Sequence, residues 1–215
     1  MKRFLAMGLL LLLPLATLAA DTAPAFVEGK QYERIPEPVR TADPARIEVV
    51  EVFWYGCIHC FHLDPLIKDW QKTLPADVDF HRSPAIWNKP MAIHAQAFYA
   101  AQALGVLDKV HDRLFAALNV DRRKLDTEDE LAAFFAEQGV KEQDFRKAFS
   151  SFGVENSVKQ ADARARSYRI TGTPELVVNG KYRISAKTAG SPEAMLKVVD
   201  FLVAQERAAR PKSSP

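Results

Sequence analysis

A run of β-branched and aromatic residues, Ile47-Glu48-Val49-Val50-Glu51-Val52-Phe53-Trp54-Tyr55, ends at Gly56 and passes directly into Cys57-Ile58-His59-Cys60. The run predicts a central strand. Phe61 to Leu74 predicts a helix kinked at Pro65. Asp77–Arg82 alternates and predicts a second strand, which completes a unit of βαβ size. The chain holds no other cysteine. Its only two thiols therefore stand where a buried strand hands over to a helix.

That context points to thiol chemistry. A helix N-terminus carries partial positive charge and free amide N–H groups, both of which stabilise a thiolate at the first cysteine. Cys60, further into the helix, is expected to be covered and to resolve a mixed disulfide formed on Cys57. A structural disulfide across so short a loop is a poor staple. Zinc needs four ligands, and His59 and His62 beside the thiols make only part of a site. Covalent haem needs a histidine after the second cysteine, where this chain has Phe61. The reading is a redox-active dithiol with no metal and no cofactor beyond its own disulfide.

Three neighbours bear on it. The His59 imidazole either donates to the Cys57 sulfur, favouring the reduced state, or faces solvent without a role. Glu51, on one strand face with Phe53 and Tyr55, is either a half-buried proton relay or a rim charge. Thr173-Pro174 opens a later strand, a place where a cis bond can occur. His62, His81, His94 and His111 lack such a context and read as structural or surface residues. Trp54, Phe61, Trp70 and Phe98 read as core.

The rest of the chain supplies the setting. Lys2-Arg3 precede an apolar stretch, Phe4–Leu18, that closes on Ala19-Ala20. This is the pattern of a cleaved signal peptide, residues 1–20. The net charge of +2 comes wholly from Lys2 and Arg3; the remainder carries 27 basic and 27 acidic residues. A neutral chain offers no electrostatic case for nucleic acid. An exported chain keeps its cysteines in an oxidising compartment. Pro24, Pro36, Pro38 and Pro44 leave the first mature residues irregular, with a short edge strand near Tyr32–Ile35. From Lys89 to Arg169 apolar residues recur at helical spacing. Thr127–Glu130 forms a capping box there, and helices are predicted over about 142–151 and 154–168. Glu175–Asn179 predicts a strand, Asn179-Gly180 a hairpin, and Lys181–Ile184 the return strand. Ser191-Pro192-Glu193 opens a last helix, 194–208. Residues 210–215 read as a disordered tail.

Phe53-Trp54-Tyr55-Gly56-Cys57-Ile58-His59-Cys60, the helical block, and Thr171-Gly172-Thr173-Pro174 with Val177-Val178-Asn179-Gly180-Lys181-Tyr182 together resemble the DsbA family of thiol:disulfide interchange proteins. The resemblance implies an α/β, thioredoxin-like fold with an inserted all-helical domain. Residues 21–87 and 167–209 would form the discontinuous thioredoxin-like domain and 88–166 the insertion. It implies Cys57 as nucleophile, Cys60 as resolving thiol, Pro174 as the family's cis-proline that seats substrate, and Glu51 as its buried acid. It also implies a periplasmic monomer that oxidises exported polypeptides and is reoxidised by a DsbB-type quinone-linked membrane partner. Ile58 stands where the family commonly has proline. Thr173 stands where valine is usual, threonine being more familiar in isomerase or reductase relatives. Both touch the redox centre and tune it. A disulfide isomerase or reductase on the same fold, and a copper- or zinc-binding thiol chaperone, are the alternatives. Only about 25 residues precede the first core strand, too few for an isomerase's extra dimerisation domain, and the chain's 4 methionines form no copper-type tract.

Overall fold

The computed structural model describes residues 25–210. The expected signal peptide, residues 1–20, and residues 211–215 of the expected tail lie outside the described residues. Arg210, assigned to that tail, is described and donates to the Ala45 carbonyl at 2.8 Å. None of the described helices is long and apolar enough to cross a membrane.

Five strands form one sheet. β1 (Glu33–Arg34), β2 (Ile47–Phe53), β3 (Val78–Pro84), β4 (Glu175–Val178) and β5 (Tyr182–Ser185) lie in the order β1-β5-β4-β2-β3. Only β2 and β3 run parallel. Their crossover helix, α1 (Ile58–Gln71), completes the expected βαβ unit. Every residue of β2 is buried, as a strand covered on both faces requires. β5 starts and ends one residue later than the sequence suggests, because Asn179 and Gly180 (φ 51° and 62°) are followed by Lys181 inside the turn. A Cβ on Gly180 would stand 2.0 Å from the Val39 carbonyl oxygen, so glycine is required there twice over.

Between β3 and β4 come five helices: α2 (Lys89–Ala103), α3 (Leu107–Asn119), α4 (Glu128–Glu137), α5 (Glu142–Phe149) and α6 (Phe152–Ser167). Thr127 caps α4 with the reciprocal box read from the sequence. α7 (Ala186–Ala189), a four-residue turn too short to show a period, was not expected. α8 (Pro192–Ala209) packs on the sheet beside α1. Apolar residues fall into three clusters. One joins Phe53 and Tyr55 to α2–α5, and one lies under α1 and α8. The third sets Val50 and Val52 of β2 against Met91, Ala165 and Tyr168.

Candidate active site

α1 begins at Ile58, not at the predicted Phe61. Cys57 is its N-cap, with extended backbone (φ −90°, ψ 113°), so both thiols sit in the first turn. The pattern that predicted the helix lay in its apolar residues, and the Cys-x-x-Cys segment adds its own turn in front of them. Gly56 fits because a Cβ would stand 2.4 Å from the Trp54 ring. Trp54 itself is only half-buried, contrary to expectation, and its indole N–H donates to His94 Nδ1 at 3.0 Å. Phe61 is also half-buried, whereas Trp70 and Phe98 are core.

The two cysteines are reduced and lie in unlike environments. Cys57 is partly exposed and Cys60 is fully covered. The Cys60 thiol donates to the Cys57 sulfur, and burial opposes it. The backbone N–H groups of Cys60 and His59 add to the donation, and Cys57 falls to about 5. The Thr173 carbonyl lies 3.2 Å from Cys57 Sγ and accepts the proton of the thiol form. An S–H is a weak donor, so the groups aimed at the anion outweigh that contact. Cys60 moves the other way, raised well above the ordinary thiol value by burial and by its neighbour. The asymmetry expected from a helix N-terminus is therefore present.

The His59 expectation needs correction. Its imidazole is exposed and makes none of the described hydrogen bonds. Its backbone N–H, not its ring, serves the sulfur. A ring at the first exposed position of a helix points away from the axis into which the amides converge. Ile58 is 41% exposed beside it. The Thr173–Pro174 bond is cis, and its loop faces Cys57. His59, Gly172, Thr173, Pro174, Ala186 and Lys187 line a groove of about 380 Å³ next to the thiols.

Glu51 is neither half-buried nor on a rim: it is 1% exposed. The parallel register sets it opposite Arg82 of β3, whose Nε donates to Glu51 Oε2 at 2.9 Å. Glu51 Oε1 is buried without a partner. Burial, against the pull of Arg82, raises Glu51 to about 7. Arg82 also donates to Asp64 at 2.9 Å. Asp64 accepts from Lys68 (2.8 Å) and meets His111 Nε2 (3.1 Å), whose Nδ1 meets the Tyr55 hydroxyl (2.8 Å). Burial works against the Asp64 carboxylate, but His111, Lys68 and Arg82 overcome it and hold Asp64 at about 2. Burial lowers His111, which favours its neutral form. Arg82, Asp64 and His111 did not emerge from the sequence as site residues. The one usable signal was register, since parallel pairing of the two predicted strands brings Glu51 and Arg82 together. Among the described residues no group of three or more His, Cys, Asp or Glu side chains is placed to hold a metal.

Residues 62–197 match the family model of the DSBA-like thioredoxin domain. The chain is similar to the thiol:disulfide interchange protein DsbA of Azotobacter vinelandii, 44% identical over 93% of this chain and 94% of that protein. The Pseudomonas aeruginosa protein of the same name is 39% identical over 99% of this chain and 100% of its own length. Among solved structures, Pseudomonas aeruginosa DsbA superposes with a TM-score of 0.83 at 41% identity, covering 86% of this chain and 96% of that one. The oxidoreductase DsbA from Xylella fastidiosa gives 0.81 at 35% identity, over 87% and 100%.

Proposed function

This chain belongs to the DsbA family, with its thioredoxin-like fold and helical insertion, and is a thiol:disulfide oxidoreductase; from that premise we propose how its residues carry out the oxidation. The observation that carries the proposal is the opposition of the two thiols, Cys57 lowered to about 5 and Cys60 raised. In the oxidised protein a substrate thiolate attacks the accessible sulfur of Cys57. A substrate–Cys57 disulfide forms, the Cys57–Cys60 bond breaks, and the electron pair leaves on Cys60. Because Cys60 holds its proton strongly, it takes one up at once. Glu51, near half-protonated at neutral pH, is suited to relay that proton. A second substrate thiolate then attacks the substrate sulfur and expels Cys57. A thiolate of low pKa is a good leaving group, so this step runs towards substrate disulfide. The substrate dithiol loses two electrons and the protein dithiol gains them.

Thr173 meets the leaving group through its backbone carbonyl, 3.2 Å from Cys57 Sγ. The groove beside Pro174 is suited to seat the substrate chain, with His59 in its lining and the exposed Ile58 next to it in the chain. The substrates are reduced, newly exported polypeptides in the periplasm, and a DsbB-type membrane oxidase restores the disulfide to a monomeric enzyme. No cofactor beyond that disulfide takes part. The isomerase or reductase reading and the metal-chaperone reading are not favoured by the relatives.

The test is asymmetric substitution. Cys57→Ala should abolish oxidation of a reduced peptide, whereas Cys60→Ala should accumulate mixed disulfides. Equal alkylation rates for the two cysteines at neutral pH would defeat the assignment.

A further inference from the structure

Glu175, the first residue of β4, is 3% exposed although it follows directly on the Thr173-Pro174 loop. A buried carboxylate needs partners, and here its hydrogen-bond donors lie in that loop. Glu175 Oε1 accepts from the Thr171 N–H (3.0 Å), the Thr171 hydroxyl (3.2 Å) and the Gly172 N–H (3.0 Å). The Glu175 backbone is itself fixed, in register with Val52 of β2 on one side and Ser185 of β5 on the other. Three donors on one oxygen thus couple a loop to the centre of the sheet. Thr173, between the tied residues and the strand, is the residue that touches Cys57 Sγ.

We propose that Glu175 is a positioning residue of the redox centre, its carboxylate holding the 171–172 backbone so that Thr173 stays against the Cys57 sulfur. The proposal rests on the reading of Cys57 as the attacking thiol and deepens it. Other charges face Glu175 as well: Arg183 of β5 lies 3.8 Å from Oε2 and is itself paired with Glu33 of β1, while Lys187 lines the same groove. Of the two, Arg183 is paired with the carboxylate, and its own backbone contact runs to the Arg169 carbonyl rather than to residues 171–173.

Positioning and plain electrostatics are separated by the variant that removes the charge and keeps the acceptor. Removing a negative charge near a thiol, by itself, eases ionisation and lowers its pKa, in Glu175→Gln as much as in Glu175→Ala. Releasing Thr173 removes the carbonyl that accepts the Cys57 thiol proton, which also lowers the pKa, but only where the ties to residues 171–172 are lost. The experiment titrates Cys57 by thiolate absorbance in the purified full chain, alongside its glutathione equilibrium and thermal unfolding. Glu175→Ala should lower the Cys57 pKa by about one unit and shift the glutathione equilibrium about tenfold, ~30 mV for this two-electron couple. Glu175→Gln keeps an acceptor oxygen at the same reach and should stay close to wild type. If Glu175→Ala does not fold, Glu175→Asp, which keeps the charge and is one methylene too short to span the contact, should show the same shift. Equal shifts in the Ala and Gln variants, or a Cys57 pKa unchanged in the Ala or Asp variant with only the melting temperature reduced, overturn the proposal and leave Glu175 a structural acid. A wild-type protein whose Cys57 titrates near the ordinary thiol value would instead overturn the nucleophile reading beneath it.

Discussion

β2 carries two buried acids three residues apart, one on each face of the sheet. Glu48 is 2% exposed and Glu51 is 1% exposed. Glu48 faces α6, and its carboxylate is satisfied at both oxygens. It accepts from the Tyr168 hydroxyl and the Ala42 N–H, each at 3.3 Å, with Arg164 at 3.6 Å. Glu51 faces the dithiol, and one of its oxygens has nothing to accept from. An acid that only holds structure can be satisfied completely. An acid that exchanges protons needs a protonated form of similar free energy, and a buried oxygen without a protein partner supplies one. The same strand therefore holds a clasp on one side and a proton store on the other.

The sharpest way to break this contrast is Glu48→Ala. It strands the Tyr168 hydroxyl and Arg164, and should cost about 3–4 kcal/mol, while leaving the glutathione equilibrium of Cys57 and Cys60 unchanged. Urea midpoints and redox titration of the same preparation decide it; a shifted equilibrium would make Glu48 part of the chemistry.

Glu51→Gln tests the other face. A carboxyl raised to about 7 in the folded chain contributes stability that is full below its unfolded value and is lost as pH rises through 7. The wild type should therefore lose about 2 kcal/mol relative to Glu51→Gln between pH 5 and pH 7. The variant's exchange rate should also lose its inflection near neutrality. Parallel stability curves for the two proteins would remove the proton store.

The third test concerns the sulfurs themselves. Cys57 is depressed to about 5, so its contribution is full above the unfolded thiol value and is lost as pH falls through 5. At pH 7 it amounts to about 2–3 kcal/mol in the reduced protein. The disulfide's loop closure gives back only ~1.9 kcal/mol. The reduced form should be the more stable by about 1 kcal/mol at pH 7, read from the urea midpoints of both forms. A clearly more stable oxidised form would bring the isomerase or reductase reading forward.

The smallest effect is expected at His59. Its exposed ring makes none of the described contacts with the sulfur, so His59→Ala should make the disulfide less oxidising by no more than about threefold. A larger shift in the glutathione equilibrium would show that the ring, and not the backbone, serves Cys57.

Much of this was readable from the chain. Strand, dithiol turn and helix follow from local pattern, as do the Asn179-Gly180 hairpin and the α4 capping box. Local pattern also placed Cys57 and Cys60 correctly relative to one another. It could not reveal what lies across from them. Arg82 reads as one more polar residue in an alternating strand until the β2–β3 register sets it opposite Glu51. His111 sits in α3, and nothing in its neighbours announces that it turns inward to Asp64 and Tyr55. Glu175 looks like a strand-edge charge until the loop folds over it. Each is a contact between distant segments, set by packing rather than by propensity.

Cys57 and Thr173 touch across 116 positions of sequence. A chain that leaves a ribosome or a translocation channel N-terminus first presents both cysteines long before residues 171–175 emerge. β4, which separates β5 from β2, is just as late. Until then the sheet lacks its centre, the helical block must fold or wait between its two halves, and the Thr173 side of the dithiol is open. The contact on the Thr173 side is acquired near the end, when the far wall arrives.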